Sequence, residues 1–524
     1  MEEYKVLLTT SGIGSRLGDL TKYTNKSLVR VGKRPAISYI LDSYSDEIEF
    51  VITLGYFGDH VKQYIELAHP NKKVTFVNVD KYEGKGSSLL YSISKAKDHL
   101  KCPFIFHACD SIVKYKNTIS LENNWIGGFD KTNDSSYRTF NVHSGFVNKI
   151  NDKGETNYDF DYVGVCGIRD YDKFWSLCDS LLQQGRECSD YDVLDKMLND
   201  KHKFSYVLFE NWLDMGNVKS LQDSRNKVED KFEILDKNDE SIFLFDDFVI
   251  KFFHNSKIVE NRTKRAKLLY PLVPKIIDYK KNFYKYEYSK SILLSEIVTP
   301  TIFKELLTWS KEKLWIKKEE KNENFYKKCE SFYFNKTKSR IEKFFNDNNI
   351  IDEETIINGV KVPKLLDLLS EVNVDSLCNV DAYQFHGDFI LDNILYDNNN
   401  FVLIDWRQDF AEDLEKGDIY YDLGKLNHNL IFNHDLVNKN NFNISRNENK
   451  IICDILVSKN LLDCKNVLKK FCEENNLDYF KVELISSIIW INMSPLHNYP
   501  LNLFLFYFGK YNLYLNLLNQ RNIR

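Results

Sequence analysis

A chain of 524 residues exceeds what one hydrophobic core organises, so two or three domains are expected. Its hydrophobic fraction of 43% and charged fraction of 28% are those of an ordinary globular protein, and a net charge of -5 supplies no broad basic field, which excludes nucleic acid as the expected partner. The 10 cysteines stand singly from Cys102 to Cys472 with no C-x-x-C pair, which argues for reduced thiols in a cytoplasmic protein and against a zinc site or disulfide framework.

The acidic start, MEEYKVLLTT, runs directly into an apolar strand at 4–10, so no signal peptide is expected. A helix over 35–44 begins at Pro35. A strand at 49–54, a helix at 58–68, a strand at 73–79, a helix at 86–99 and a strand at 104–110 follow. This alternation predicts a parallel sheet with helices on both faces, closed by a helix near 217–228. From about 229 the pattern changes. Residues 230–253 alternate like an antiparallel hairpin meander, with Lys237-Asn238-Asp239-Glu240 as a turn. A basic helix is expected at about 257–270, then a strand and connector. From about 300 the chain reads as mainly helical, interrupted by a short hairpin around 385–405. The Asn-rich stretches around 397–400 and 438–449 read as surface loops. The C-terminal run LNLFLFYFGKYNLYLNLLNQR is broken by Asn502, Lys510, Asn512 and Asn516, so a buried helix is expected there and no membrane insertion. With 31 Tyr and 36 Phe amid frequent Asn and Lys, the composition drifts as a whole, and single aromatics carry little functional weight.

Two stretches carry chemistry. In LLTTSGIGSRLGDLTKYTNKSLVRVGKRP a strand turns at Gly12 and Gly14, whose backbone can approach phosphate oxygens. Arg16 and Lys26 can neutralise charge on a triphosphate and a departing pyrophosphate. Alone, G-x-G is equally a tight strand-to-loop turn. Far downstream, FHGDFILDNILYDNNNFVLIDW places Asp388 to accept the proton of an attacking hydroxyl, with Asn393 and Asp405 able to hold magnesium against nucleotide phosphates.

The first stretch resembles the sugar-phosphate and phosphocholine nucleotidyltransferases, through Gly12, Gly14, Arg16, Leu17, Lys26, Gly32, Lys33 and Pro35. Asn25 stands where that family usually has proline, and Thr9-Thr10-Ser11 where it has Ala-Ala-Gly. The resemblance implies that Gly84, Gly86 and Ser87 hold the nucleobase. It also implies that Asp110 and Asp214, the latter in WLDMGN, bind the metal. The reaction it implies is attack by a substrate phosphate on the α-phosphorus of a nucleoside triphosphate, with Lys26 and Arg16 as catalytic cations.

The second stretch resembles the aminoglycoside phosphotransferase and choline kinase superfamily, as HGDxxxxN followed by IDW indicates. That resemblance makes His386 a brace, Asp388 the base and Asn393 and Asp405 the metal ligands. Lys251 in Phe248-Val249-Ile250-Lys251 is similar to the strand lysine that contacts nucleotide phosphates. Glu260 is its nearest candidate partner, although ion pairing on a helix surface explains Glu260 as well. Tyr286-Glu287-Tyr288 resembles the hinge where backbone atoms meet adenine, so Glu287 and Tyr288 are nucleotide-binding candidates. No glycine-rich loop precedes Lys251, which points to a small-molecule kinase with other backbone, such as the 237–241 turn, over the phosphates. Asp418 and Asp422 lie in a G-D-x-x-Y-D-L-x-K-L-x-H pattern reminiscent of modules found with capsule and surface-polysaccharide enzymes. Asp409, Glu412, Asp413 and Glu415 can line a pocket for a cationic acceptor, but a solvated acidic loop is the simpler reading. Helix packing is likewise the simpler reading of Trp490.

Together the resemblances imply an α/β chain. A Rossmann-like (GT-A type) nucleotidyltransferase domain is expected over 1–228, and an α+β bilobal protein-kinase-like domain over 229–524, with a small lobe at about 229–290 and a helical lobe at about 291–524. The expected enzyme is bifunctional and dependent on Mg2+. ATP phosphorylates a small alcohol, and the resulting phosphate is coupled to a second nucleoside triphosphate, CTP foremost, giving a product such as CDP-choline or CDP-ethanolamine for surface glycan decoration. The alternative is a sugar 1-kinase fused to a sugar-1-phosphate nucleotidyltransferase. A third reading, in which one half is a degenerate binding module, is opposed by the intact Asp388, Asn393 and Asp405. An oligomer is compatible with the sequence.

Overall fold

The structure, a computed structural model, describes residues 4–114, 121–185, 187–232, 237–319, 322–398 and 400–523. The chain divides into two compact units. One comprises the chain up to Val259 together with Ile277–Tyr288. The other comprises Glu260–Ile276 and the chain from Ser289 onward.

The first unit is a mixed α/β layer structure. Strands β1 (Lys5–Thr9), β2 (Glu49–Leu54), β3 (Lys73–Asn78) and β4 (Phe104–Ala108) run parallel in the order β4-β1-β2-β3. In β1, β2 and β4 residues on both faces are buried, as covered parallel strands require, whereas the edge strand β3 is only half-buried. Val6 and Leu8 pack with α1 (Ala36–Asp42) and α2 (Gly58–Ala68) on one side. Leu7 faces the other side, against Leu90 and Ile93 of α3 (Leu89–Ser94). The helix expected over 86–99 is shorter, because Ser88 caps it at Tyr91 N and a separate 3-10 turn covers Lys97–His99.

The sheet continues beyond the expected parallel set. After a short strand β5 (Ser111–Lys114) come β6 (Asn124–Asp130), β7 (Thr139–His143), β8 (Phe146–Asn151), β9 (Phe160–Ile168) and, past two helices, β10 (Phe204–Leu208). β9 inserts antiparallel between β4 and β6, so the sheet is mixed, not all-parallel. The antiparallel β7–β8 hairpin leans on β9 and supplies this reversal without a crossover helix. Strand β11 (Asn211–Asp214) pairs antiparallel with β5 outside the main sheet, and the helix Val218–Lys227 follows it.

Packing separates the units elsewhere than at 228/229. Strands β12 (Glu240–Leu244) and β13 (Phe248–Phe253) pair with each other and then with Phe283–Glu287. Phe243, Ile250, Phe252 and Phe283 join the core that holds Val61, Tyr64 and Ile65 of α2. Tyr64 meets the Phe243 ring at 5.1 Å, and Lys285 Nζ donates to Leu67 O at 3.0 Å. The hairpin turn falls at 245–247, not at the expected 237–240. Alternation persists from Glu240, and the Phe245 and Phe248 rings stack at 4.4 Å to close Asp246-Asp247 as the tip. The first arm of the expected meander includes residues 233–236, which lie outside the described residues.

The second unit is mainly helical. The helix Tyr479–Met493 is apolar on nearly every face and is buried between Ile419–Ile431 and Leu501–Ile523. Lys510 in the last of these sends its Nζ to Glu353 O at 2.7 Å and Thr355 Oγ1 at 3.0 Å, so this polar interruption is satisfied inside the protein. Among the described residues no helix is long and apolar enough to cross a membrane. The expected loop at 438–449 instead contains a whole strand, Phe442–Asn447, which pairs antiparallel with Lys450–Ile455. The hairpin expected near 385–405 is Ile394–Asp397 with Asn400–Leu403, and Asn399 at its tip lies outside the described residues.

Candidate active sites

In the first unit, the loop after β1 opens into a cavity of about 500 Å³ lined by Gly12, Arg16, Lys26, Ser87, Asp110 and Asp214, among others. Gly14 takes φ +71, and a Cβ there would stand 2.8 Å from Lys26 Cβ, so the turn needs glycine both for its backbone and to seat the lysine. Gly84 and Gly86, at φ 72 and 89, shape the loop that delivers Ser87 to the cavity.

Lys26 Nζ donates to Asp110 Oδ2 at 3.0 Å. Burial works against both charges, yet each outweighs it for the other: Lys26 is held above its ordinary pKa and Asp110 below its own. Asp214 reaches the same cavity because β11 pairs with β5, placing Asp214 opposite Ser111, the residue after Asp110. Met215 N donates to Asp110 O at 2.9 Å and fixes this ribbon. Burial and then the charge of Asp110 raise the Asp214 carboxyl. Tyr137 Oη and Gly216 N donate to it, each at 3.1 Å. A side chain at Gly216 would stand 3.2 Å from Asp214 and 3.5 Å from Arg16, so this glycine leaves room beside the guanidinium.

The departure at Asn25 has a structural reason. Its Nδ2 donates to Thr10 O at 2.7 Å and Tyr56 O at 2.6 Å, and its Oδ1 accepts from Ser27 N at 2.9 Å and Ser27 Oγ at 2.8 Å. These bonds tie the lysine loop to the strand ends, a restraint that ring closure would supply in proline. Asn25→Ala leaves these buried partners unsatisfied. It should destabilise the first unit by about 3 kcal/mol, read as a lowered denaturant midpoint.

In the second unit, Asp388, Asn393 and Asp405 come from the expected loop and hairpin. Asn393 Nδ2 donates to Asp388 O at 2.9 Å and Asp388 Oδ2 at 3.1 Å. Lys425 Nζ pairs with Asp388 Oδ1 at 2.7 Å. Burial would raise the Asp388 carboxyl, but the Lys425 charge dominates and lowers it to about 2. Asp405 has the left-handed φ of 56, rare outside glycine, and pairs with the guanidinium of Arg262.

His386 is a brace. Its Nδ1 accepts from Asp388 N at 3.2 Å and its Nε2 faces Ile404 O at 3.0 Å, an arrangement that fits the neutral ring protonated at Nε2. Burial lowers its pKa to about 4, in keeping with that form. Asp422 accepts from His386 N at 2.8 Å, Gly387 N at 2.7 Å and Trp315 Nε1 at 3.1 Å, and burial raises it to about 6. Gly387 at φ 87 is enforced by space as well, since a Cβ would lie 2.6 Å from Arg407 Cβ. Beneath the loop, buried Arg265 donates to Phe385 O at 2.5 Å, Leu414 O at 3.0 Å and the carbonyls of His386 and Arg407.

Sequence reasoning missed Arg265, Arg262 and Lys425. The signal for Lys425 was its place as the lysine of the G-D-x-x-Y-D-L-x-K-L-x-H pattern, three residues after Asp422 on one helix face. Asp418 caps the helix Ile419–Ile431 and accepts from Tyr333 Oη at 2.7 Å, a structural role. The acidic run is a local turn: Asp413 pairs with Lys328 at 2.7 Å and accepts from Glu415 N and Lys416 N. Trp490 is buried against Phe508 at 4.8 Å.

Of the remaining candidates, Lys251, Glu287 and Tyr288 belong to the first unit. Lys251 lies on β13 opposite Ile242 and Tyr284. Glu287 pairs in register with Phe248, and Tyr288 N donates to Asp247 O at 3.0 Å, so that amide is already engaged within the sheet. Glu260, in the second unit, pairs with Lys264 at 2.5 Å one helical turn away.

Among the described residues no three His, Cys, Asp or Glu side chains cluster as a self-sufficient metal cage. Each site offers a smaller donor set, which suits magnesium carried with nucleotide phosphates. Asp110 and Asp214 fit such an ion because burial, and then the charge of Asp110, raise Asp214, and a shared cation would relieve both. Asn393 fits with its Oδ1, and Asp405 fits once its carboxylate is shared with Arg262.

No protein-family model matches the chain, and no curated protein matches it. Among solved structures it is similar to a UDP-glucose pyrophosphorylase complexed with UDP-glucose, at 14% identity over 43% of this chain and 97% of that one, with a TM-score of 0.36. It is also similar to a CTP:phosphocholine cytidylyltransferase from Streptococcus pneumoniae, at 19% identity over 43% of this chain and 98% of that one, with a TM-score of 0.37. A third similar structure is the inositol-1-phosphate CTP transferase from T. maritima, at 18% identity over 43% and 98%, with a TM-score of 0.35. The shared part is N-terminal.

Proposed function

We propose that the chain joins two transferases: a nucleotidyltransferase built by residues 1–228 and a small-molecule kinase built by 229–524. The observation that supports this best is the cavity on which Lys26, Arg16, Asp110 and Asp214 converge. An attacking phosphate is already anionic, so no protein base is needed. Lys26 and Arg16 orient the triphosphate and neutralise the charge that builds on departing pyrophosphate. The Gly12–Gly14 turn lets backbone amides approach the phosphates, and Ser87 with its flanking glycines takes the base. Asp110 and Asp214 would hold magnesium, which would supply charge neutralisation at the reacting phosphate.

At the second site Asp388 orients the acceptor hydroxyl and takes its proton. Its ion pair with Lys425 keeps it ionised, and Asn393 holds its other oxygen. Asn393 and Asp405 would carry the magnesium that accompanies ATP. The phosphorylated alcohol is then the substrate of the first site, with CTP the preferred nucleotide. The alternative product is a nucleoside-diphosphate sugar.

Pyrophosphate release with CTP, UTP, GTP and dTTP, each offered phosphorylated alcohols and sugar 1-phosphates, tests both versions. Turnover of CTP with an alcohol phosphate is expected. Release confined to sugar 1-phosphates would replace the first version by the second, and release with none would end the nucleotidyltransferase reading.

A further inference from the structure

We propose that the alcohol phosphorylated at Asp388 carries an anionic group, a carboxylate or a phosphate, held by Lys336, Arg340 and Arg407. This rests on the phosphoryl-transfer reading and replaces the cationic acceptor, such as choline, that the kinase resemblance implies.

The three side chains converge beside the catalytic loop. A π-helical turn at Ser331–Asn335 precedes the helix Lys336–Asn348 and buries Phe332, which stacks on Phe410 at 4.2 Å. Such turns recur at functional sites. Lys336 Nζ lies 4.3 Å from the Phe332 ring centre, and the Arg407 guanidinium lies 5.0 Å from the same centre. Arg407 N donates to His386 O at 3.1 Å, which fixes this cation to the loop bearing Asp388. Arg340 stands one turn beyond Lys336 on the same helix face and donates to Asn492 O at 3.0 Å. All three are half-buried, and among the described residues none of them forms an ion pair with a carboxylate.

Two carboxylates stand beside these three cations: Asp388, which is paired with a fourth cation, Lys425, and Asp409, whose charge reaches Lys336 and whose backbone carbonyl accepts from Arg407 Nε at 3.0 Å. The cluster therefore carries excess positive charge in partly desolvated surroundings, which is unfavourable until an anion completes it. Burial, then Arg407, Arg340 and Lys425, push Lys336 down to about 6 against the opposing charge of Asp409, the response expected where cations outnumber carboxylates. The two sides of Asp388 tell which substrate supplies the anion. Asn393, the metal-side residue, holds Oδ2, whereas Lys425, which feels the charge of Arg407, holds Oδ1. The cluster thus continues from the oxygen away from the metal side, where the acceptor belongs. A quaternary or primary ammonium would meet like charge there.

The test measures ADP release by the full chain with MgATP and four small alcohols: glycerate, glycerol 3-phosphate, glycerol and choline. Glycerate or glycerol 3-phosphate should be preferred over glycerol and choline by about tenfold or more in kcat/KM, and which of them wins identifies the anion. Lys336→Gln and Arg340→Gln should each raise KM for that acceptor about tenfold with kcat nearly unchanged, and Lys336→Arg should restore it. Preference for choline or glycerol, or a rise in KM for ATP in place of the acceptor, would overturn the proposal. If no alcohol is turned over, calorimetric titration of inorganic phosphate decides. Binding by the wild type that is lost in the Lys336→Gln/Arg340→Gln protein supports the site, and equal or absent binding in both overturns it. Failure of the kinase reading registers separately, as ADP release indifferent to Asp388→Ala.

Discussion

Lys26→Ala should lower nucleotidyl transfer by about 10²–10³-fold while ATP-dependent phosphorylation at Asp388 persists. The lysine is held in place before substrate arrives: Gly14 makes room for it, Asn25 ties down its loop, and Asp110 takes its ammonium at 3.0 Å. Its loss removes a preorganised cation and leaves Asp110 facing Asp214 with Arg16 as its remaining counter-charge. The structural part of this effect has a pH signature. Because the pair lowers the Asp110 pKa, its stabilisation is present above the ordinary carboxylate range and is lost as pH falls through the depressed value. The stability gap between wild type and variant should therefore be full at neutral pH and close in strong acid. Pyrophosphate assays and denaturation curves at several pH values read the two parts, and unchanged pyrophosphate release would refute the assignment of Lys26.

Asp388→Ala should reduce ADP formation by about 10²–10⁴-fold and leave nucleotidyl transfer to a pre-phosphorylated substrate intact. Removing the carboxylate also strands Lys425, which is nearly buried beside it, so some loss of stability will accompany the alanine variant. Asp388→Asn preserves the shape and separates the two effects, since it should stay folded and still fail to turn over. Loss of both activities in a folded Asp388→Asn protein would contradict two independent sites.

The early strands and helices were legible because short apolar runs bounded by turn residues map onto β1, β2, α2 and β3 almost residue for residue. The antiparallel insertion of β9 was not, since periodicity reports burial and says nothing about partner or direction. Asp388 meets Asn393 because five residues of one loop separate them, whereas Lys26 meets Asp110 because β1 and β4 are neighbours and the two residues follow their C-terminal ends. Lys425, Arg262 and Arg265 escaped for the opposite reason. They reach the loop from distant helices, and a basic residue on an amphipathic helix looks the same in sequence whether it meets solvent or a buried carboxylate. Asp422 was noticed as part of a pattern, but its task of receiving the His386 and Gly387 amides is visible only in three dimensions.

The attachment of β12, β13 and Phe283–Glu287 to α2 limits how this protein can be divided. The backbone passes from one unit to the other at 259/260, returns at 276/277 and leaves again at 288/289. No single scission then yields two intact halves. A fragment ending at 228 would bare the α2 surface that Phe243, Ile250 and Phe283 cover, and its complement would begin with strands deprived of their support. The two units are thus interlaced along one polypeptide, and removing either from the gene would require rebuilding the flank of the other.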